Sequence, residues 1–247
     1  MQKFIFILGS NWKLSLAELD ACLKSKMFKG KIVDYSSNTA IVEFRTLTDE
    51  QYFVNKLETL QYYMGGIQKI GLIYDFFPSF ILENAFPEYI DNFNEVKKAR
   101  KKINQMLDSV LDNLFPVIEN KDIFFAVSIY PDLFDSKYYK DVLVKHFLPY
   151  LNKNISINLK NKKANKAIYF RYPEKNMKSG NLNPIFPHHV IKYELFKPNR
   201  AEILFCLTEE GCYIGRTFTS DDPNFKRKID EERPKKDFKS SISPKLA

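Results

Sequence analysis

The sequence predicts an α+β fold, because short apolar runs typical of strands and longer amphipathic stretches typical of helices both recur along it. Of its 247 residues, 45% are hydrophobic and 15% aromatic, so the chain can bury one large core or two modest ones. From residue 221 onward charged residues are frequent and aliphatic ones are few, which predicts an exposed segment without its own core. We therefore expect a folded body over 1–219 and a linker over 220–247.

The chain begins with a predicted strand and helix. Residues 3–8 form an apolar run that ends at Gly9, which is typical of a buried strand. Ser15 and Glu18 have the spacing of a capping box, so we expect a helix to begin at Ser15. Four apolar side chains then share one face at helical spacing: Leu16, Leu19, Leu23 and Met27.

The next elements complete a recognisable order. A hairpin is expected from strands at 31–36 and 39–44. A second helix, which Thr48 or Asp49 can cap, is expected at 48–60, and a strand at 65–76 that opens with two glycines. The resulting order, β-α-β-β-α-β, is that of a ferredoxin-like unit. We therefore expect such a unit over residues 1–78.

Residues 79–219 predict a second group of elements. The stretch 87–115 has an apolar stripe at helical spacing, opposite the basic residues Lys97, Lys98, Arg100, Lys101 and Lys102. The apolar stretch 122–130 predicts a central strand, and Asp135 or Ser136 can cap a helix that runs towards Tyr150. Strands are further expected at 154–160, 166–172, 200–207 and 211–218, and a strand or loop at 185–196.

Positive charge is concentrated in one part of the chain. The net charge is +8, and the stretch 142–192 has ten lysines and arginines against one acid, Glu174, so it carries +9 and the rest about −1. Such concentration is expected of a surface that meets phosphates, although a solvated lysine-rich face would have the same composition. Aromatic residues at 169, 170 and 172 add faces for unstacked bases. We expect RNA contacts from Lys160, Lys162, Lys163, Lys166, Arg171, Lys175 and Lys178.

Three segments resemble one enzyme family. The segments "ILGSNWKLSLAEL" at 7–19 and "MGGIQKIG" at 64–71 resemble the N-terminal part of the tRNA guanosine N2-methyltransferases that carry a THUMP domain. The segment "YIGRTF" at 213–218, followed by "RP", "KKD" and "SPKLA", resembles the connector of the same enzymes, with Lys236 and Ser243 where the family usually has Arg and Pro.

The resemblance implies a two-part domain organisation and a partner. Residues 79–219 would be a THUMP-like RNA-binding domain that holds the acceptor end of tRNA, and 220–247 a linker to a Rossmann-like methyltransferase domain that this sequence lacks. S-adenosylmethionine would then be the cofactor of that absent domain, and we expect no cofactor in this chain. A docking subunit, which binds a separate catalytic chain through its C-terminal tail and has only generic affinity for polyanions, is the alternative.

The sequence offers little sign of chemistry of its own. It has no nucleophile elbow, P-loop, H-E-x-x-H or glycine-rich turn between a strand and a helix. Adjacent His188 and His189 would point to opposite faces of a strand, so we do not expect a metal site there. No apolar run approaches the roughly 18 residues of a membrane span, and no signal peptide is visible, so we expect a cytoplasmic protein.

Overall fold

The computed structural model describes residues 2–25, 28–44, 50–87, 89, 92–132, 141–170 and 185–222. The strands are β1 Gln2–Leu8, β2 Gly30–Tyr35, β3 Thr39–Phe44, β4 Ile67–Pro78, β5 Asp122–Tyr130, β6 Lys166–Tyr169, β7 Arg200–Leu207 and β8 Gly211–Ser220. The helices are α1 Trp12–Leu23, α2 Glu50–Tyr63, α3 Ser79–Ala85, α4 Phe93–Leu114, α5 Leu148–Asn161 and α6 Pro187–Lys192, and a π-helical turn, Leu143–Phe147, leads into α5.

The described strands form one mixed sheet of eight strands in the order β2-β3-β1-β4-β8-β7-β5-β6. Neighbouring strands are antiparallel except β5, which is parallel to both β6 and β7. The α+β class is confirmed, and the first six elements have the predicted order β-α-β-β-α-β. The sheet continues past residue 78, because β4 pairs with β8 from Lys69 opposite Ser220 to Pro78 opposite Gly211.

The helices α1 to α5 cover one face of the sheet. Against this face α1 and α2 bury Leu19, Leu23, Leu57 and Leu60 on β1, β3 and β4. All six residues of the predicted α4 stripe are buried, and all but Val96 belong to the core under α3, α4 and α5: Ile103, Leu107, Val110, Leu111 and Leu114. The apolar stripe thus determines which side of α4 contacts the sheet.

The sheet is strongly curved, and its concave face is the one opposite α1 to α5. Ser37, in the turn between β2 and β3, contacts Asp132 just beyond the end of β5, although four strands lie between β3 and β5. In a flat sheet this separation would be about 24 Å, because neighbouring strands are about 4.8 Å apart. Two hydrogen bonds stabilise this curvature. The Ser37 N–H donates to Asp132 Oδ1 at 3.2 Å, and the Thr208 hydroxyl donates to Asp34 Oδ2 at 2.7 Å.

The start of α1 differs from the sequence expectation. The N-cap is Asn11, whose side chain accepts a hydrogen bond from the Leu14 N–H, and the helix begins at Trp12. Ser15 is buried inside the helix, where its hydroxyl donates to the Asn11 carbonyl. Asparagine caps a helix as well as serine does, and the prediction that the helix begins with a capping box at Ser15 is wrong.

The stretch 154–160 is helical, so the prediction of a strand there is wrong. The isoleucines at 155 and 157 alternate with polar residues, which favours a strand, but Leu151, Ile155 and Leu159 are the buried apolar positions of α5. They continue the series from Phe147 at intervals of four residues, which is the helical period. Met27, Thr48, Asp49, Asp135 and Ser136 lie outside the described residues.

The helices of the described residues are each too short or too polar to span a lipid bilayer. The boundary between units at residue 78 and the linker over 220–247 stay predictions. Asp221, at the start of that linker, is buried, and its N–H donates to the Gln68 carbonyl at 2.8 Å.

Candidate nucleic-acid interface

Four of the predicted RNA-binding lysines lie where α5 leads into β6. Lys160 is in the last turn of α5, Lys162 and Lys163 form the turn that follows, and Lys166 is the first residue of β6. We call this group the basic turn. It joins a helix to a strand, not two strands as the sequence suggested, because 154–160 belongs to α5.

The backbone of the basic turn closes α5 in a defined way. The Ala164 N–H donates to the Leu159 carbonyl at 3.0 Å, and the Lys163 N–H donates to the Lys160 carbonyl at 2.9 Å. Lys163 has a φ of 62°. These are the hydrogen bonds and the left-handed residue of a Schellman motif, which satisfies the last carbonyls of a helix.

Two lysines of the basic turn are paired with acids. The Lys162 ammonium lies 3.0 Å from Asp108 Oδ1 and 2.8 Å from Asp112 Oδ1, both on α4. Burial opposes the charge of Lys162, but the hydrogen bonds to Asp112 and Asp108 outweigh this and raise its pKa. Lys163 lies 3.0 Å from Glu119 Oε1, with both side chains largely exposed. Their charges are therefore partly neutralised within the chain.

Lys160 and Lys166 are exposed, and neither forms an ion pair with an acid of the described residues. Within the basic turn, these are the two described lysines whose ammonium groups a phosphate can reach without displacing a carboxylate. The other three predicted contacts, Arg171, Lys175 and Lys178, lie outside the described residues. The RNA-binding role of all seven residues stays a prediction.

The aromatic residues beside the basic turn divide between the two faces of β6. Tyr169 packs against Phe125, 5.4 Å between ring centroids, in the core under the helices. Phe170 points to the opposite face, where its ring stacks on Phe124 and Tyr193. Successive side chains of a strand alternate in this way, so only one of the two rings lies on the concave face.

A second set of cations lies on α4. Lys97, Lys98, Lys101 and Lys102 are exposed. Arg100 is not part of this exposed set, because its Nε donates to the Ala85 carbonyl at 2.9 Å and its guanidinium lies 4.9 Å from the Phe86 ring centroid. The α4 lysines therefore offer a comparison for the basic turn in any test of where a polyanion binds.

Residues 187–192 form helix α6, so the expectation of a strand or loop is wrong there. Pro187 is suited to the first turn of a helix, where its missing N–H costs nothing. The rings of His188 and His189 are 4.0 Å apart and do not point to opposite faces. Among the described residues no group of three or more His, Cys, Asp or Glu side chains could hold a metal ion.

A buried ionic network joins the central strands, and sequence reasoning missed it. Lys69 of β4 lies 2.6 Å from Glu202 Oε1 of β7, and both side chains are fully buried. Lys69 also donates to the Ile185 carbonyl at 2.6 Å, while Ser128 and Thr217 donate to the Glu202 carboxylate. Burial lowers the pKa of Lys69, and Glu202 opposes this shift.

The paired glycines of the segment 64–71 bind a carboxylate of this chain. The N–H groups of Gly65 and Gly66 donate to the two oxygens of Glu18 at 2.9 and 2.8 Å. A cleft of about 430 Å³ lies beside them and extends to Asp221. The glycines precede a strand rather than open a helix, and Glu18 occupies their N–H groups, so they do not form a phosphate cradle for a nucleotide cofactor.

No protein-family model matches the chain, and no curated protein matches it. Similar solved structures include PH1313 from Pyrococcus horikoshii Ot3, with 11% identity, 87% of this chain and 54% of that chain covered, and a TM-score of 0.44. TrmN from Thermus thermophilus is 11% identical, with 99% of this chain and 52% of TrmN covered and a TM-score of 0.45. A 4-thiouridine synthetase in complex with RNA and ATP is 16% identical, with 87% of this chain and 41% of the synthetase covered and a TM-score of 0.39. The chain thus spans about half the length of PH1313 and of TrmN.

Proposed function

We propose that this chain binds tRNA and positions its acceptor end for methylation of a guanosine N2 by a separate domain. The observation that carries the proposal is the basic turn, in which Lys160 and Lys166 are exposed and have no described acid as an ion-pair partner. The +9 charge of the stretch 142–192 and the resemblance of three segments to THUMP-containing methyltransferases support it.

The proposed division of labour follows the units expected from the sequence. Residues 1–78 act as a ferredoxin-like spacer, 79–219 as the RNA-binding domain, and 220–247 as the linker to the catalytic domain. We assign S-adenosylmethionine to that catalytic domain, as the resemblance of the three segments to THUMP-containing methyltransferases implies. The proposed location is the cytoplasm, where tRNA would be available.

The proposed mechanism is to position the single-stranded end of the RNA relative to the catalytic domain. Lysine side chains attract phosphates without reading sequence, and a single-stranded end can place its bases on aromatic faces beside them. A fixed distance between that end and the catalytic domain would then select the nucleotide that is modified. The chain contributes binding energy and geometry, and no bond to the RNA is made or broken by its own residues.

The test is a titration of the chain with intact tRNA and with the same tRNA trimmed of its single-stranded 3′ end, at about 50 and about 200 mM salt. We expect trimming to weaken binding at both salt concentrations. Equal binding of the two RNAs would contradict the proposal and favour the docking subunit, which has only generic affinity for polyanions.

A charge-reversal comparison localises the binding. We expect Lys160→Glu with Lys166→Glu to lower affinity and to reduce the slope of log K against log salt by about one per lost phosphate contact. The matched control is Lys97→Glu with Lys98→Glu on α4, which changes net charge equally. Equal losses in both double variants would mean that the basic turn is not the binding site.

A further inference from the structure

Aromatic rings from three segments stack in a row on the concave face of the sheet. Phe124 of β5 and Phe170 lie 5.5 Å apart at 24°, Phe170 and Tyr193 5.0 Å apart at 10°, and Tyr193 and His189 of α6 5.5 Å apart at 17°. Each step has the spacing and the small interplanar angle of offset stacking. We call these four rings the aromatic ladder.

The ladder ends in a pair of exposed rings. His188 lies 4.0 Å from His189 and is exposed, and Phe186 is 44% exposed. The planes of Phe186 and His188 are within 4° of parallel, with 6.0 Å between their centroids. We call these two rings the platform.

Core packing explains the ladder but not the platform. Phe170 and Tyr193 pack against a small buried cluster that includes Ala126 and Val190. Phe186 and His188 gain little from that cluster, since a large part of each side chain stays in water. Exposing a phenylalanine to this extent forgoes part of the roughly 1.5–3 kcal/mol that its burial would contribute. Two flat, parallel, exposed rings instead match the stacking surface that an unpaired base needs.

Cations lie along the ladder and beside the platform. The Arg200 guanidinium is 4.9 Å from the Phe124 ring centroid, and the Lys192 ammonium is 5.8 Å from that of Tyr193. Lys166 and Phe170 are four residues apart in extended chain, so both project from the same face of the sheet. The nearby acid Glu194 pairs with Lys197 at 2.7 Å and with Arg200 at 3.6 Å, and neither Lys192 nor Lys166 forms an ion pair with an acid of the described residues. The surface around the rings is therefore suited to a polyanion.

We propose that the Phe186–His188 platform stacks an unpaired base of single-stranded RNA while Lys192 and Lys166 neutralise the flanking phosphates. This inference rests on the proposed function and adds to it the place where the single-stranded end is held. The ladder serves as the rigid support of the platform, because its rings fix the orientation of α6 against the sheet.

The experiment uses the full chain and a short single-stranded RNA that ends in CCA, with 2-aminopurine in place of the terminal adenine. The fluorescence of 2-aminopurine is quenched when it stacks on an aromatic ring, so it reports the contact directly. We expect the wild type to quench it, and Phe186→Ala with His188→Ala to remove most of the quenching and lower affinity about tenfold. The control is Phe80→Ala on α3, a side chain that is 55% exposed, which should change neither.

A second arm avoids any dependence on how the variant folds. The wild-type chain is titrated with the same RNA carrying an abasic 3′ nucleotide, which we expect to bind about tenfold more weakly than the intact RNA. Equal binding of the two RNAs, or unchanged quenching in the double variant, overturns the platform. If the trimmed-tRNA experiment still succeeds, the proposed function stands without it. If the wild type binds neither tRNA nor the short RNA, both proposals are wrong.

Discussion

Lys163 occupies a backbone position that glycine usually fills. Its φ of 62° lies in the left-handed region, where a Cβ costs about 1–2 kcal/mol. The ion pair with Glu119 offsets little of this cost, because the Lys163 and Glu119 side chains are 75% and 59% exposed. A lysine that is unfavourable for the turn and only weakly paired is consistent with a role for its charge outside the chain.

We expect Lys163→Gly to raise the free energy of unfolding by about 0.5–1 kcal/mol, because glycine adopts the left-handed conformation without strain. Urea unfolding measures this. Lys160→Gly is the matched control, since residue 160 lies within α5 and glycine there should lower stability by about 1 kcal/mol. Destabilisation by both substitutions would show that the Lys163 side chain stabilises the turn.

His189 is a buried histidine whose surroundings disfavour its charge. Burial is the main cause, with His188, Lys192 and Lys69 adding to it and Glu202 opposing, and together they lower the pKa of His189 from 6.5 to about 4. The ring is therefore neutral at pH 7, and its Nδ1 accepts a hydrogen bond from the Phe186 N–H at 3.3 Å. This contact orients the first turn of α6.

Acidification should therefore destabilise the protein through His189. Between pH 6.5 and pH 5 the unfolded chain binds a proton at this residue and the folded chain does not, so the free energy of unfolding falls by up to about 2 kcal/mol. Urea unfolding at both pH values should show a smaller fall in His189→Gln. His146→Gln, at an exposed histidine, is the control and should keep the wild-type difference. An unchanged difference in His189→Gln would mean that this histidine is charged in the folded state.

At the scale of elements, Glu18 links α1 to the turn before β4. Its two oxygens accept hydrogen bonds from the N–H groups of Gly65 and Gly66, just before β4 begins at Ile67. Gly66 also lies so close to α1 that a Cβ there would be 2.8 Å from Ser15 Cα. The glycine is thus required by a close approach of backbone to backbone, and the carboxylate holds that approach.

We expect Glu18→Gln to lower the free energy of unfolding by about 1–3 kcal/mol, because an amide has one acceptor oxygen for two backbone donors and no charge. Thermal or urea unfolding measures the loss. The control is Asp20→Asn on the same helix, whose exposed pair with Lys24 is worth little. A loss no larger than that of the control would mean that water satisfies the two N–H groups equally well.

At the scale of the whole molecule, two of the family-like segments meet in the buried network. Lys69 belongs to the segment 64–71 and Thr217 to 213–218, and both bind Glu202. Arg216, beside Thr217, donates to the carbonyls of Leu114 and Phe196, which joins the end of α4 to the turn before β7. These residues therefore help to hold the two halves of the chain in one sheet.

We expect Lys69→Met to lower the free energy of unfolding by about 3–5 kcal/mol, because it leaves the Glu202 carboxylate buried without a counter-charge. Adding Glu202→Met should recover much of the loss, since two apolar side chains need no partner. Lys24→Met, which breaks an exposed pair, should change stability by less than about 1 kcal/mol. A small effect of Lys69→Met would mean that the buried ion pair contributes little to the stability of the sheet.

Much of the fold was predictable because its signals are local. The hairpin β2–β3, the hairpin β7–β8, the strand β5 and the buried stripe of α4 were all visible in the spacing of apolar residues. The errors at α5 and α6 arose where short sequences suit either structure, and packing against the sheet decided between them. The aromatic ladder and the pairing of Lys162 with α4 join residues far apart in sequence, for which no local signal exists.

The sequence by itself determined the α+β class, the order of the first six elements and the concentration of positive charge between 142 and 192. These depend on periodicity and composition, which are properties of neighbouring residues. Only the tertiary structure decided which lysines are paired and which are exposed, that Glu18 binds the glycine pair, and that Lys69 is buried against Glu202. Such pairings depend on which distant strands become neighbours, and burial then decides whether each charge needs a partner within the chain.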